Sequence, residues 1–159
     1  MGKAFDREAE AAFGSAIGAL RRCERTVAEM YSWLEERGLP GDVLDEVISE
    51  LIAVGELDDD RFAYAFAADK RELSGWGSER IEAALVDRGL ERSLAESACG
   101  EEREGELERA VGLLANRPGA LSDEGERARA LGFLTRRGYE YELAHDAIRR
   151  AEREQSAAA

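Results

Sequence analysis

Three stretches of this chain superimpose without gaps: LEERGLPGDV at 34–43, LVDRGLERSL at 85–94 and LTRRGYEYEL at 134–143. Their Arg-Gly pairs, Arg37-Gly38, Arg88-Gly89 and Arg137-Gly138, stand 51 and 49 residues apart. A repeat of about fifty residues constrains the fold more than any other feature. Each copy is one supersecondary unit that buries its apolar face by packing within itself and stacking on its neighbours. Each glycine separates two apolar-periodic stretches, which makes it a left-handed cap where one helix ends and the next begins. The arginine before it sits in a last helical turn, where a cation suits the negative end of the helix dipole.

Beyond the caps the apolar positions agree as well: Val43, Val47 and Ile48; Leu94, Ala98 and Cys99; Leu143, Ala147 and Ile148. The spacing is helical. It also puts Cys99 where the other copies carry isoleucine, so a small buried hydrophobe is expected there. Before each glycine lies a second helix. Thr26-Val-Ala-Glu29 is a capping box ahead of Val27, Met30, Tyr31 and Leu34. Ser78 is expected to cap a helix with Ile81 and Leu85, and Ser122 or Asp123 one with Leu131 and Leu134. A further helix precedes each of these: about 5–22 with Phe13, Ile17 and Leu20 inward, about 60–73 with Phe62, Phe66 and Leu73 inward, and about 106–116 with Leu107, Val111 and Leu114 inward. Composition concurs. Ala (27), Glu (25), Arg (20) and Leu (17) outweigh Val, Ile and Thr (13 together), and nothing alternates with period two. The expected fold is all-α, an elongated array of three tandem three-helix repeats at 1–56, 57–103 and 104–154, with a frayed tail at 155–159. Bends are expected at Gly55-Glu56-Leu57, from Glu101 to Gly105, and at Arg117-Pro118-Gly119.

The net charge is −13, with 35 acidic against 22 basic side chains. Such a balance opposes unselective binding to nucleic acid or an anionic membrane, though not a local basic patch. Two cysteines do not build a disulfide scaffold or a cysteine cage, and one histidine, His145, leaves little room for zinc or a histidine dyad. No metal, cofactor or catalytic residue is expected. With no leader and no apolar run long enough to span a bilayer, the chain reads as soluble and cytoplasmic.

Two motifs stand out. In GELDDDRFA (55–63), Asp58 or Asp59 suits a helix cap and Phe62 a core anchor; a calcium loop would need a glycine and a distal glutamate that are absent. In GWGSERI (75–81), Gly75 and Gly77 allow a tight turn into a helix start that could receive a phosphate. Trp76 suits either packing between two units or a base-stacking platform.

The run GELDDDRFAYAFAADKRELSGWGSERIEAALVDRGL (55–90) closely resembles the central repeat of the RecX family, bacterial modulators of RecA. Leu20 to Gly38 resembles its first repeat and Phe133 to Ile148 its third, so the likeness covers about residues 15–150. It implies a non-enzymatic, monomeric regulator of recombination and DNA repair. Such a protein lies in the groove of the RecA–DNA filament and modulates, mostly inhibits, RecA's ATPase, strand exchange and coprotease activities. The chain departs from the family at Met30-Tyr-Ser-Trp-Leu-Glu-Glu36, where members tend to carry Lys or Arg. Charge contacts from that unit are not carried over, and Tyr31 or Trp33 offers aromatic packing on a protein partner or plain core filling.

Candidate contacts to RecA or DNA are Arg21, Arg22 and Arg25 at the end of the first helix, Lys70 and Arg71, Trp76 with Arg80, and Arg136, Arg137, Arg149 and Arg150 in the third unit. Each alone is equally a solvated helix face or a dipole partner. Residues 1–57 carry 6 basic against 12 acidic side chains, 58–103 carry 7 against 12, and 104–159 carry 9 against 11. The third unit is thus the least acidic, and direct DNA contact is expected to be weak. A helical-repeat adaptor for another cytosolic protein is the competing reading, and His145 reads as a partly exposed helix residue.

Overall fold

The computed structural model describes residues 7–100, 102–119 and 121–159. Among them are nine helices and no strand: α1 (Arg7–Arg22), α2 (Val27–Glu35), α3 (Gly41–Ala53), α4 (Asp59–Ser74), α5 (Ser78–Asp87), α6 (Arg92–Cys99), α7 (Arg103–Ala115), α8 (Glu124–Arg136) and α9 (Tyr141–Ala158). The densest packing falls inside three triads: α1 and α2 on α3, α4 and α5 on α6, α7 and α8 on α9. Each triad has its own apolar cluster, centred on Met30, Leu34 and Leu51, on Ile81 and Leu85, and on Leu134 and Leu143. Leu57 packs into the first of these. The chain is all-α, a tandem array of three-helix units, and it is elongated. Its accessible surface of 9572 Å² exceeds the roughly 7,900 Å² expected of a compact monomer of 17.5 kDa.

Local signals account for most of these elements. Thr26 closes its capping box with Glu29, Asp58 caps α4, and Asp123 caps α8. Gly38, Gly89 and Gly138 all have positive φ, at 77°, 88° and 87°. Cys99 is buried beside Ala98, and burial pushes its thiol up to about 11.

Other expectations are corrected. In α1 Phe13, Ile17 and Leu20 do pack, partly buried, against the core, but the fully buried seam beside them, Ala9, Ala12, Ala16 and Ala19, was not singled out in the sequence. Leu73 is 83 % exposed. It lies eleven residues from Phe62, about 20° around the helix and so on the same face, but in the last turn of α4, beyond the buried Phe62, Ala63 and Ala67. Ser78 does not cap α5. Gly77 holds that position, and the Ser78 N–H donates instead to Glu106 of the next unit at 2.8 Å. The bend expected from Glu101 to Gly105 is already helical from Arg103, with Glu104 and Glu106 favouring the helix start; Glu101 itself, like Phe5 at the expected start of the first helix, lies outside the described residues. The last helix runs through the segment expected to fray, and the Gln155 side chain accepts from Leu121 N–H at 3.1 Å.

Units meet through one recurring joint, in which the Arg-Gly turn of one unit sits on the first turn of the second helix of the unit before it. At the first joint the Thr26 hydroxyl donates to Arg88 O at 2.8 Å. Thr26 is the one fully buried polar side chain among the described residues. The Arg88 guanidinium donates twice to the Glu29 carboxylate, at 2.6 and 2.9 Å, and Asp59 accepts from Val27 N–H at 2.8 Å. At the second joint Gly77 N–H donates to Arg137 O at 2.8 Å and Glu79 N–H to Gly138 O at 3.1 Å, while Tyr139 Oη donates to Gly75 O at 3.2 Å. A Cβ on Gly138 would run into the backbone of Arg80; one on Gly38, in the first unit, would meet nothing within 4 Å.

The two glycines therefore separate backbone strain from packing. Gly38→Ala is expected to cost about 1 kcal/mol, the left-handed strain alone, and Gly138→Ala about 3 kcal/mol or more because it also forces the joint open. Urea unfolding of both variants measures the difference. The first joint carries a pH signature. Burial raises the Glu29 carboxyl, but the hydrogen bonds from Arg88 and Thr26 N–H outweigh it and hold the group below its ordinary value. The stabilisation is complete above the ordinary carboxylate range and is lost as pH falls through the lower folded-state value. Glu29→Gln is expected to cost about 1 kcal/mol at neutral pH, and its deficit against wild type to shrink as pH falls from the ordinary carboxylate range through the lower folded-state value, as read from urea midpoints across pH.

Candidate partner-binding surface

The second joint gathers a group of cations on aromatic rings. Trp76, half-buried in the turn between α4 and α5, lies edge-on to Phe66 at 6.5 Å. Lys70 Nζ stands 4.8 Å from its ring centre and the Arg80 guanidinium 4.0 Å. Arg80 Nη1 also donates to Arg136 O at 3.3 Å, which ties this group to a second one on α8. There Phe133 lies between Arg137, at 3.9 Å, and Arg117, at 4.7 Å. None of Lys70, Arg80, Arg117, Arg136 and Arg137 forms an ion pair with a carboxylate among the described residues. A cation held over a ring is ordered without being neutralised, as Lys70, Arg80, Arg117 and Arg137 are here; Arg137 Nε is buried, and Arg136, exposed, is tied to the group through its carbonyl.

The remaining candidates occupy other surroundings. Arg149 pairs with Asp146, and Arg150 with Glu104 and Glu154; both face a separate cleft with Leu107 and Arg153. Arg71 donates to Ala98 O at 3.2 Å, bracing α4 against α6. Arg21 and Arg25 line a cleft with Glu24, Glu56 and Asp58, and Arg22 is exposed. Arg21 and Arg25 therefore share their cleft with carboxylates, and Arg25 also lies 6.0 Å from the Trp33 ring centre, whereas Lys70, Trp76, Arg80 and Arg137 gather at the second joint, with Arg136 tied in through its carbonyl.

Two parts of this surface were not singled out in the sequence, Arg117 and Phe133. The pattern that reveals Phe133 is an aromatic four residues before the repeat arginine, one helical turn away on the same face. It occurs as Phe133–Arg137 and again as Trp33–Arg37, where the guanidinium lies 3.3 Å from the ring centre. In the middle unit Ala84 takes that place, and Arg88 turns instead to Glu29 and to Phe62, 4.4 Å away. Arg117, in an irregular turn beside Pro118, had no such signal. His145 is partly exposed and packs edge-on against Tyr141 at 4.6 Å. Among the described residues no group of three or more His, Cys, Asp and Glu side chains is placed to hold a metal ion, and no helix is long and apolar enough to cross a membrane.

Known proteins share both this sequence and this fold. A family model described as the second three-helix domain of RecX matches residues 58–98, the stretch that holds Lys70, Trp76 and Arg80. The regulatory protein RecX of Mycobacterium avium (strain 104) is 33 % identical over 129 residues, covering 78 % of this chain and 75 % of that protein. The regulatory protein RecX of Pseudomonas savastanoi pv. phaseolicola is 34 % identical over 135 residues, covering 81 % and 84 %. The crystal structure of RecX from Lactobacillus salivarius superimposes with a TM-score of 0.80 over 91 % of this chain and 96 % of its own, at 19 % identity. With the repeat, the turn-on-cap joints and these likenesses in agreement, the chain belongs to the RecX family of regulatory proteins.

Proposed function

We propose that this protein is a non-enzymatic cytoplasmic regulator that lies along the RecA–DNA filament and inhibits RecA's ATPase, strand-exchange and coprotease activities, without metal or cofactor. The observation that carries this reading is the set of unpaired cations around Trp76 and Phe133, a concentrated positive surface on a chain of net charge −13. Long-range repulsion from the whole molecule weakens encounter with bare nucleic acid, while the local cations engage acidic groups once protein contacts have positioned them. The elongated array suits a partner that is itself a polymer, with the units at 1–56, 57–103 and 104–154 meeting successive subunits. Lys70, Trp76, Arg80, Arg136 and Arg137 are the residues proposed to touch the filament, and DNA contact is confined to this region.

Purified protein is expected to inhibit RecA's single-strand-dependent ATPase at or below stoichiometric ratio. Reversing two exposed cations together, Lys70→Glu with Arg136→Glu, is expected to leave the helical circular dichroism intact and raise the half-inhibitory concentration about tenfold. No effect of the wild-type chain on ATPase, strand exchange or repressor cleavage at any ratio overturns the proposal. Binding to naked single strands, measured without RecA, is expected to be weak and to fall steeply with salt.

A further inference from the structure

Each end of the array keeps half of a joint that no other unit fills, although at the start of α8 the Glu126 carboxylate lies beside Gly119 and pairs with Arg129. At the first end, Gly38 N–H donates to Glu35 O at 2.8 Å, as Gly89 donates to Val86 O at 2.9 Å and Gly138 to Thr135 O at 3.0 Å. The three glycines share a left-handed φ, at 77°, 88° and 87°. Gly89 and Gly138 are each closed over by the preceding unit, at Ala28 and at Arg80, whereas Gly38 faces open space. At the other end, the first turn of α8 receives no such turn, and Ser122 to Gly125 are exposed.

The free start of α8 shares its helix-start pattern with one of the two occupied ones, with one exception: Asp123 is a carboxylate and only accepts, where the Thr26 hydroxyl also donates to Arg88 O. In α2 the second helical residue is Ala28, small enough for Gly89 to close upon, and the third is Glu29, which takes Arg88. In α8 the second is Gly125 and the third Glu126. Asp123 accepts from Glu126 N–H at 2.8 Å, as Thr26 accepts from Glu29 N–H at 3.1 Å. The start of α5 has Glu79 and Arg80 in these places, and its guest Arg137 stacks on Phe133 without a carboxylate partner. The vacant start of α8 is thus of the glutamate kind, and the vacant turn carries the arginine that this kind receives.

We propose that a second copy of this chain docks its Arg37-Gly38 turn on the Asp123–Glu126 end of α8, repeating between molecules the arginine–glutamate pair and the turn-on-helix-start seating of the joint that links the first two units, without its Thr26 hydroxyl bond. Arg37 leaves the ring of Trp33 to reach Glu126, and Arg129, now paired with Glu126 on the same helix, yields to it. The contact is head-to-tail, so it adds copies end to end and does not close as a two-fold dimer. A turn on a helix start buries far less than a standard interface, so dilute protein is monomeric and association needs high concentration or a template that aligns the copies. Cooperative loading along a RecA filament follows from this contact and rests on the function proposed above. The contact itself is tested with no RecA present, so the two proposals fail separately.

Sedimentation equilibrium of the full chain from roughly 10 μM to 1 mM is expected to show a weight-average mass rising above 17.5 kDa. Arg37→Glu and Glu126→Arg are each expected to weaken association at least about tenfold, and the double reversal to restore it. Arg37→Gln and Glu126→Gln replace either reversal that loses helical signal. A mass constant at 17.5 kDa, a rise that neither single change affects, or a double reversal that restores nothing overturns the proposal.

Discussion

A left-handed glycine pressed against the first turn of another helix holds this molecule in its shape. Each triad buries too little apolar surface for a comfortable margin of stability by itself. The helix faces of different triads barely meet, because the dense packing falls within triads. Coupling between them depends on small contacts with strict geometry: a carbonyl of the Arg-Gly turn accepting from a helix start, and a missing Cβ that lets the backbones close. Thr26 shows how tightly this is drawn. One hydroxyl accepts from Glu29 N–H and donates to Arg88 O, so capping a helix and joining two units are a single arrangement.

The same joints divide the charge. An acidic chain presents a cationic surface because its arginines have two kinds of partner. Arg103, Arg127, Arg149 and Arg150 lie against carboxylates and contribute little external field. Arg80, Arg117 and Arg137 lie against Trp76 and Phe133. A ring orders a guanidinium through its quadrupole and leaves the formal charge uncompensated, so replacing a carboxylate by an aromatic partner turns a neutral pair into a directed donor. The two joints differ accordingly. The first is closed by the Arg88–Glu29 pair, the second by backbone amides and Tyr139, and it is at the second that Lys70, Arg80 and Arg137 lie on aromatic rings instead of carboxylates.

Much of the candidate surface is legible in the order of residues alone. The Gly75-Trp76-Gly77 turn and its neighbours Lys70 and Arg80 form a local cluster within eleven residues, and local clusters survive folding with their order intact. Arg136 and Arg137 belong to the same surface because the repeat brings the third Arg-Gly turn onto the start of α5, a relation between residues almost sixty positions apart. Arg149 and Arg150 read equally well as a basic pair on α9. Only the packing of α7 against α9 brings Glu104 beside Arg150, and no spacing within α9 announces a partner supplied by another helix.

By itself the sequence determined the capping box at Thr26 and the left-handed glycines, and narrowed the caps to Asp58 or Asp59 and to Ser122 or Asp123; these follow from interactions within four residues along the chain, which the order of side chains states outright. The period of fifty and the buried place of Cys99 came from aligning one copy on another. Tertiary structure decided what depends on which helix lies opposite. It added a buried alanine seam to the Phe13, Ile17 and Leu20 face of α1, left Leu73 in solvent, supplied Glu106 to a helix start that Ser78 does not cap, and extended α9 through Gln155. Each of these turns on the distance between two elements, and that distance is set by how triads pack and join, which no local pattern encodes.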